Sequence, residues 1–137
     1  MTVKELSQYY FLGKELEQYD RRIDELRARR VAISAPAFDK EPGGQHDPTH
    51  SKIETLTAEI IELEDLMRIN REKRALERQR LERYIEGIQD SAVRQIARLR
   101  FADLKSWNEV GSRMGAGYTV DALKKMLYRY LEKHPDD

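Results

Sequence analysis

Cysteine is absent from this chain of 137 residues, which removes disulfides, thiolate metal sites and cysteine nucleophiles together. Aromatic residues make up only 8% of it, with a single tryptophan, while charged residues reach 36%. The mean hydropathy of −0.80 matches; such a chain suits long solvated helices better than a deep globular core. No run approaches the ~18 uncharged apolar residues of a membrane-spanning helix. The opening Met1-Thr-Val-Lys-Glu-Leu6 carries no apolar signal region, so a cytoplasmic protein without a membrane partner is expected. An excess of one charge is lacking too, since 25 lysines and arginines balance 25 aspartates and glutamates. Global charge therefore selects no partner, and only the placement of charges along the chain can do so. A glycine-rich phosphate loop and a nucleophile–base pair are missing, and the carboxylates are scattered. An enzyme is not expected, and no catalytic residue, metal or cofactor is assigned.

What the chain does have is periodicity. From Lys4 to Ile33 the apolar residues Tyr9, Leu12, Leu16, Tyr19, Ile23, Leu26 and Ile33 recur at alternating spacings of three and four, with Arg30 the one interruption. That spacing predicts a helix over 4–33 packing along its length on another helix, with the stem of Arg30 lying along the seam. Gly13 is its weak point, costing about 1 kcal/mol relative to alanine in an exposed helix. Over 34–50 the pattern stops, and three of the four prolines fall there beside the pair Gly43-Gly44. This predicts a loop, longer than the usual helix–helix connection, that is either flexible or a binding segment, with composition favouring disorder.

A second helix is expected over 51–88, marked by Ile53, Leu56, Ile60, Leu63, Met67, Asn70, Leu81, Tyr84 and Ile88, with Ser51 and Glu54 spaced as a capping box. The middle of its seam is polar, at Asn70, Arg74 and Glu77; a lone asparagine there costs stability and fixes register. The simplest packing is a long antiparallel, coiled-coil-like helical hairpin over 1–89. Two helices alone bury little, so a second copy is expected to complete a bundle, a dimer being favoured. The residues assigned to that oligomerisation are Leu16, Tyr19, Ile23, Leu26, Ile60, Leu63, Met67 and Asn70.

Residues 90–137 read as a small three-helix domain. Asp90 or Ser91 caps a helix ending near Ala102-Asp103, Ser106 caps a short helix from Trp107 to Met114, and Gly115-Ala-Gly117 stops it. Thr119 then caps a last helix from Val120 to about Lys133, with Leu123, Met126, Leu127, Tyr130 and Leu131 facing inward. Short helix, glycine-bearing turn and longer helix follow the plan of a helix-turn-helix unit, whose last helix reads the major groove with outward polar and basic side chains. The candidates for contact with double-stranded DNA are Thr119, Asp121, Ala122, Lys124, Lys125, Tyr128 and Arg129, with Arg113 from the preceding helix. Between Ser91 and His134 nine basic residues (Arg94, Arg98, Arg100, Lys105, Arg113, Lys124, Lys125, Arg129, Lys133) face four acids (Asp103, Glu109, Asp121, Glu132), and the rest of the chain is correspondingly acidic. A local positive excess is what binding to a phosphate backbone needs.

Blander readings stand beside each of these. Three-helix units with a glycine turn also serve purely as packing domains. The basic run Arg68, Arg71, Lys73, Arg74, Arg78, Arg80 and Arg83 on the second helix reads first as a salt-bridged surface, with pairs such as Arg78 and Glu82. His46 and His50 are four apart with Asp47 between them, but they fall in the proline-glycine segment and lack a third ligand. Trp107 reads as a core anchor rather than a stacking platform.

The stretch Ser106-Trp-Asn-Glu-Val-Gly-Ser-Arg-Met-Gly115, followed by Thr119-Val-Asp-Ala-Leu-Lys-Lys-Met-Leu-Tyr-Arg-Tyr-Leu131, resembles the helix-turn-helix of region 4 in bacterial sigma factors. The chain is more similar still to small phage and prophage regulators of the RinA and ArpU kind, whose long helical part precedes a sigma-like unit. Under that resemblance Trp107 and Val110 lie in the supporting helix, and Thr119, Asp121, Ala122, Lys124 and Lys125 open the recognition helix; the turn Gly115-Ala-Gly-Tyr118 runs slightly longer than the sigma turn. The resemblance implies a transcriptional regulator of phage genes, with RNA polymerase or another host protein as a second partner. The alternatives are a small-terminase-like DNA-packaging component, and a protein-interaction module acting on a host factor through the hairpin.

Overall fold

The computed structural model describes residues 1–35, 48–115 and 117–135. Within them the chain is all-helical: α1 (Val3–Leu6), α2 (Gln8–Ser34), α3 (Pro48–Glu86), α4 (Ser91–Ala97), a π-helical turn (Arg98–Ala102), α5 (Trp107–Met114) and α6 (Val120–Lys133). The single helix expected over 4–33 is thus two, parted at Ser7, whose hydroxyl donates to the Val3 carbonyl at 2.8 Å. The α3 helix begins three residues before Ser51, at Pro48, a first-turn position where the N–H that proline lacks has no partner to lose. Ser51 is therefore inside the helix rather than its cap. Most of the expected loop, residues 36–47 with His46 among them, lies outside the described residues.

The chain divides into two compact units, one made of Met1–Gly13 and Glu72–Asp137, the other of Lys14–Arg71. The boundary expected at 89/90 is not where compactness breaks, and packing explains why. Leu6, Tyr9, Leu81, Ile85 and Ile88 are buried in the same cluster as Val93, Ile96, Phe101, Val110, Leu123, Leu127 and Leu131. The start of the chain and the end of α3 thus supply part of the core that α4, α5 and α6 enclose.

In the Lys14–Arg71 unit, Ile23 and Leu26 of α2 bury against Ile60 and Met67 of α3, with Leu16, Tyr19, Leu56 and Leu63 packed partly around them. Arg27 pairs with Glu64 at 2.7 Å, while Arg30, farther along α2, reaches Thr57, earlier on α3, at 3.4 Å. The two segments therefore run in opposite directions. Arg30 is half-buried, its stem on the seam as expected. Asn70 is buried, and its amide donates to the Leu66 carbonyl of its own helix at 2.9 Å. It is satisfied locally, so its polarity needs no second strand.

The residues expected to form an oligomer interface fall along this seam. Of these, Ile23, Leu26, Ile60 and Met67 are at most 7% exposed inside one chain, where they pack α2 on α3, while Leu16, Tyr19 and Leu63 are partly buried around them. What α3 turns to solvent in this unit is a different set, Ile61, Leu66 and Ile69, at 54%, 38% and 43% exposure.

In the other unit, Thr2 and Glu5 form a reciprocal capping box at α1. The Thr2 N–H, donating to the Glu5 carboxylate at 2.7 Å, holds that carboxyl below its ordinary pKa. Tyr9 is buried under the guanidinium of Arg74, 4.2 Å from the ring centre, and its hydroxyl accepts from Arg78 at 3.0 Å. Arg74, a polar interruption in the sequence pattern, is thus a lid on an aromatic ring. Gly13 lies beneath the same guanidinium, where a Cβ would come within 2.7 Å of Arg74 Nη2. The helix-weakening glycine is the space in which Arg74 fits.

Asp90 caps α4, its Oδ1 accepting from Ala92 and Val93 N–H at 3.0 and 3.2 Å. The π-helical turn buries Phe101 and Ala102, and Leu104 then takes a left-handed φ of 57°, a conformation uncommon outside glycine. Ser106 caps α5 through the Glu109 N–H, and Thr119 caps α6 through the Ala122 N–H at 3.1 Å. Between α5 and α6 the turn uses Gly115 and Gly117 at φ 101° and 102°, where side chains would be strained. The three helices α4, α5 and α6 contact one another pairwise.

Leu127 is fully buried in this core. Leu127→Ala is expected to destabilise the protein by about 2–5 kcal/mol, read as a lower urea midpoint; a loss below about 0.5 kcal/mol, the range of surface changes, would contradict the packing described.

Candidate nucleic-acid interface

The geometry of α6 follows from its leucines. Leu123, Leu127 and Leu131 are four residues apart and buried, which fixes one face of the helix inward. At about 100° per residue, Lys125 and Arg129 then fall almost opposite that stripe, with Asp121, Ala122, Tyr128 and Glu132 around them, while Lys124 falls on its flank. Observed burial agrees: Thr119, Asp121, Lys125, Tyr128 and Arg129 are exposed, and Ala122 and Lys124 are half-buried. Arg113, from α5, is also exposed.

The eight candidates therefore do not form one equivalent set. The Thr119 hydroxyl is already engaged as the cap of α6. Lys124 lies with its ammonium 5.6 Å from the centre of the Trp107 ring, and the Arg100 guanidinium lies 5.2 Å from the same ring. Both distances are within cation–π range. Trp107 packs partly against the core, as expected of an anchor, and also holds cations, which the sequence pattern did not indicate. The signal was present in one respect: Trp107 is the chain's sole tryptophan, and it sits at the start of a short helix.

The positive excess divides similarly. Arg94 donates to the Ile88 carbonyl at 2.8 Å, Arg98 pairs with Glu86, Arg100 donates to the Lys105 carbonyl at 3.0 Å, and Lys105 lies 3.9 Å from Glu109. These cations tie the unit together. Arg113, Lys125, Arg129 and Lys133 form no ion pair with another described residue. They are the charges left for a partner, and two of them, Lys125 and Arg129, share the outward face of α6. Asp121 and Glu132 lie on that face as well, so its charge is mixed rather than uniformly basic.

The basic run on α3 is mostly occupied. Arg74 and Arg78 serve Tyr9, Arg78 also pairs with Glu82 at 3.0 Å, Arg80 pairs with Glu77, and Arg68 lies 3.4 Å from Asp65. This is the salt-bridged surface that the i,i+3 and i,i+4 spacings suggest. His50 pairs with Glu54 at 3.0 Å, and among the described residues no cluster of three or more metal-binding side chains occurs. No helix among them is long and apolar enough to cross a membrane. Comparison with protein-family models, curated proteins and solved structures gives no match for this chain.

Because Trp107 is the only tryptophan, the division between Lys124 and Lys125 can be read optically. Lys124→Ala is expected to change the emission of Trp107 and to cost about 0.5–1 kcal/mol, the value of an exposed cation–π contact. Lys125→Ala should leave both unchanged. Identical spectra for the two variants would place Lys124 in solvent beside its neighbour.

Proposed function

We propose that this chain is a DNA-binding transcriptional regulator in which α5, the Gly115–Gly117 turn and α6 act as a helix-turn-helix, carried on a long antiparallel hairpin of α2 and α3. The observation that carries the reading is the pair of unengaged cations Lys125 and Arg129, exposed beside Tyr128 on the face of α6 opposite its buried leucines. A helix fixed on one side by its core and basic on the other is what entry into a major groove requires. The resemblance to sigma region 4 and to the RinA and ArpU regulators supports a reading in which the chain acts on phage genes, with RNA polymerase as a second partner. Sequence discrimination falls to Asp121, Ala122 and Tyr128 flanking the cations, and Arg113 supplies a further phosphate contact.

A gel-shift on duplex DNA tiled from the chain's own genomic neighbourhood tests this. One fragment is expected to stay bound at near-physiological salt. Lys125→Ala and Arg129→Ala should each weaken binding and lower the slope of log affinity against log salt by about one. Equal, weak binding to every fragment, unaffected by either substitution, would remove α6 as the reading element and favour action on a host protein through the hairpin.

Homo-oligomerisation belongs to the same reading, and the exposure of Ile61, Leu66 and Ile69 on α3 supports them as its contact residues. Ile61→Glu with Ile69→Glu should reduce the native mass to that of one chain. A native mass already monomeric in the unsubstituted protein would end this assignment, and a ring of many copies would favour the packaging alternative.

A further inference from the structure

Away from the outward face at the start of α6, its C-terminal half meets the end of α3 and the start of α4 around a groove of about 810 Å³. That volume falls in the ~300–1,000 Å³ range typical of small-molecule sites. Its walls carry three cations from two helices, Arg83 of α3 and Arg129 and Lys133 of α6. All three are exposed, and none forms an ion pair with another described residue. The one carboxylate in the described lining, Asp90, has its Oδ1 committed to the Ala92 and Val93 N–H groups as the cap of α4.

Three like charges held around one hollow repel each other, and a bound anion would relieve that repulsion. The carboxyl ends of α3 and α6 oppose an anion by about half a unit of charge each and the Asp90 carboxylate by a full unit, against three full charges of the other sign, so the balance stays positive. Two guanidinium groups favour an oxyanion that accepts paired parallel hydrogen bonds, which phosphate does better than a halide. At the same groove Tyr130 and His134 stack with ring centres 4.1 Å apart, and Gln89 adds an exposed amide.

We infer that this groove binds a phosphate-bearing ligand, with the phosphate held by Arg83, Arg129 and Lys133. The phosphate can come from a free phosphorylated compound or from a nucleic-acid backbone. The groove shares Arg129 with the proposed DNA-reading face but has Arg83 and Lys133 to itself, so substituting those two tests the groove apart from that face.

The test is a titration of the full chain, isotopically labelled, followed through the backbone amide resonances of Gly87 and Gln89. Inorganic pyrophosphate and a short DNA duplex are the two probes, at constant ionic strength with chloride as the control. Saturable shifts with pyrophosphate are expected, and Arg83→Ala with Lys133→Ala should weaken them by more than about tenfold, the value of losing hydrogen bonds to charged groups. A response to the duplex alone, lost in the same double variant, would also support the site and identify its phosphate as backbone. Silence with both probes, or shifts equally strong in the double variant, would overturn it. Both side chains are exposed, so the double variant should keep its melting temperature. Lys133→Glu gives a second reading from a single exposed position, with the same loss expected.

Discussion

Whatever α6 can offer a partner is set by Leu123, Leu127 and Leu131. Once those side chains are buried against α4, α5 and the end of α3, the rotation of the helix is fixed, and with it the identity of the residues left outside. Burying three leucines is worth several kcal/mol at about 1.5–3 each, more than any surface contact on the opposite face could repay by turning the helix. The outward position of Lys125 and Arg129 is therefore a consequence of the core. So is the sideways position of Lys124, which brings its ammonium over Trp107.

The same core decides which positive charges are free. The count of nine basic residues against four acids is correct as arithmetic, but a count treats all of them as available. Arg94 and Arg100 donate to carbonyls in the loops next to their helices, and Arg98 and Lys105 pair with glutamates. Such contacts depend on where the chain turns back after α3 and after the π-helical turn, which residue spacing does not encode. The charges of this set whose side chains stay without an ion pair, hydrogen bond or ring contact to a described residue are Arg113, Lys125, Arg129 and Lys133.

The starts of α4, α5 and α6 were legible in the sequence because each rests on a local signal, whereas the break at Ser7 and the start of α3 at Pro48 were not. Ser106 and Thr119 cap where their spacing to Glu109 and Ala122 predicts, and paired glycines between α5 and α6 take the positive φ that only they adopt easily. The inward set of α6 follows from a four-residue period in the same way. The division of the chain was not legible, because it depends on contacts remote in sequence. Leu6 and Tyr9 are more than 60 residues from Arg74, Leu81 and Ile85, which share their unit. An apolar period shows that α3 has a buried face but not that its last turns bury theirs in a different core from its first. Nor does it distinguish a seam closed within one chain from a seam closed between two.

That ambiguity bears directly on Gly13 and Arg74. Read along the sequence, each is a defect, a helix-weakening glycine and a charge on an apolar seam. Read together they are one contact: the guanidinium covers Tyr9 at 4.2 Å and occupies the space a Cβ at position 13 would need. The propensity cost of glycine, about 1 kcal/mol, is set against a cation–π contact and a bond from Arg74 Nε to the Tyr9 carbonyl at 3.4 Å. The two contributions are of similar size, so neither residue is a flaw that propensity alone should correct. Tyr9 belongs to the cluster that also buries Leu127. The contact at the start of the chain thus helps fix the core that turns Lys125 and Arg129 outward.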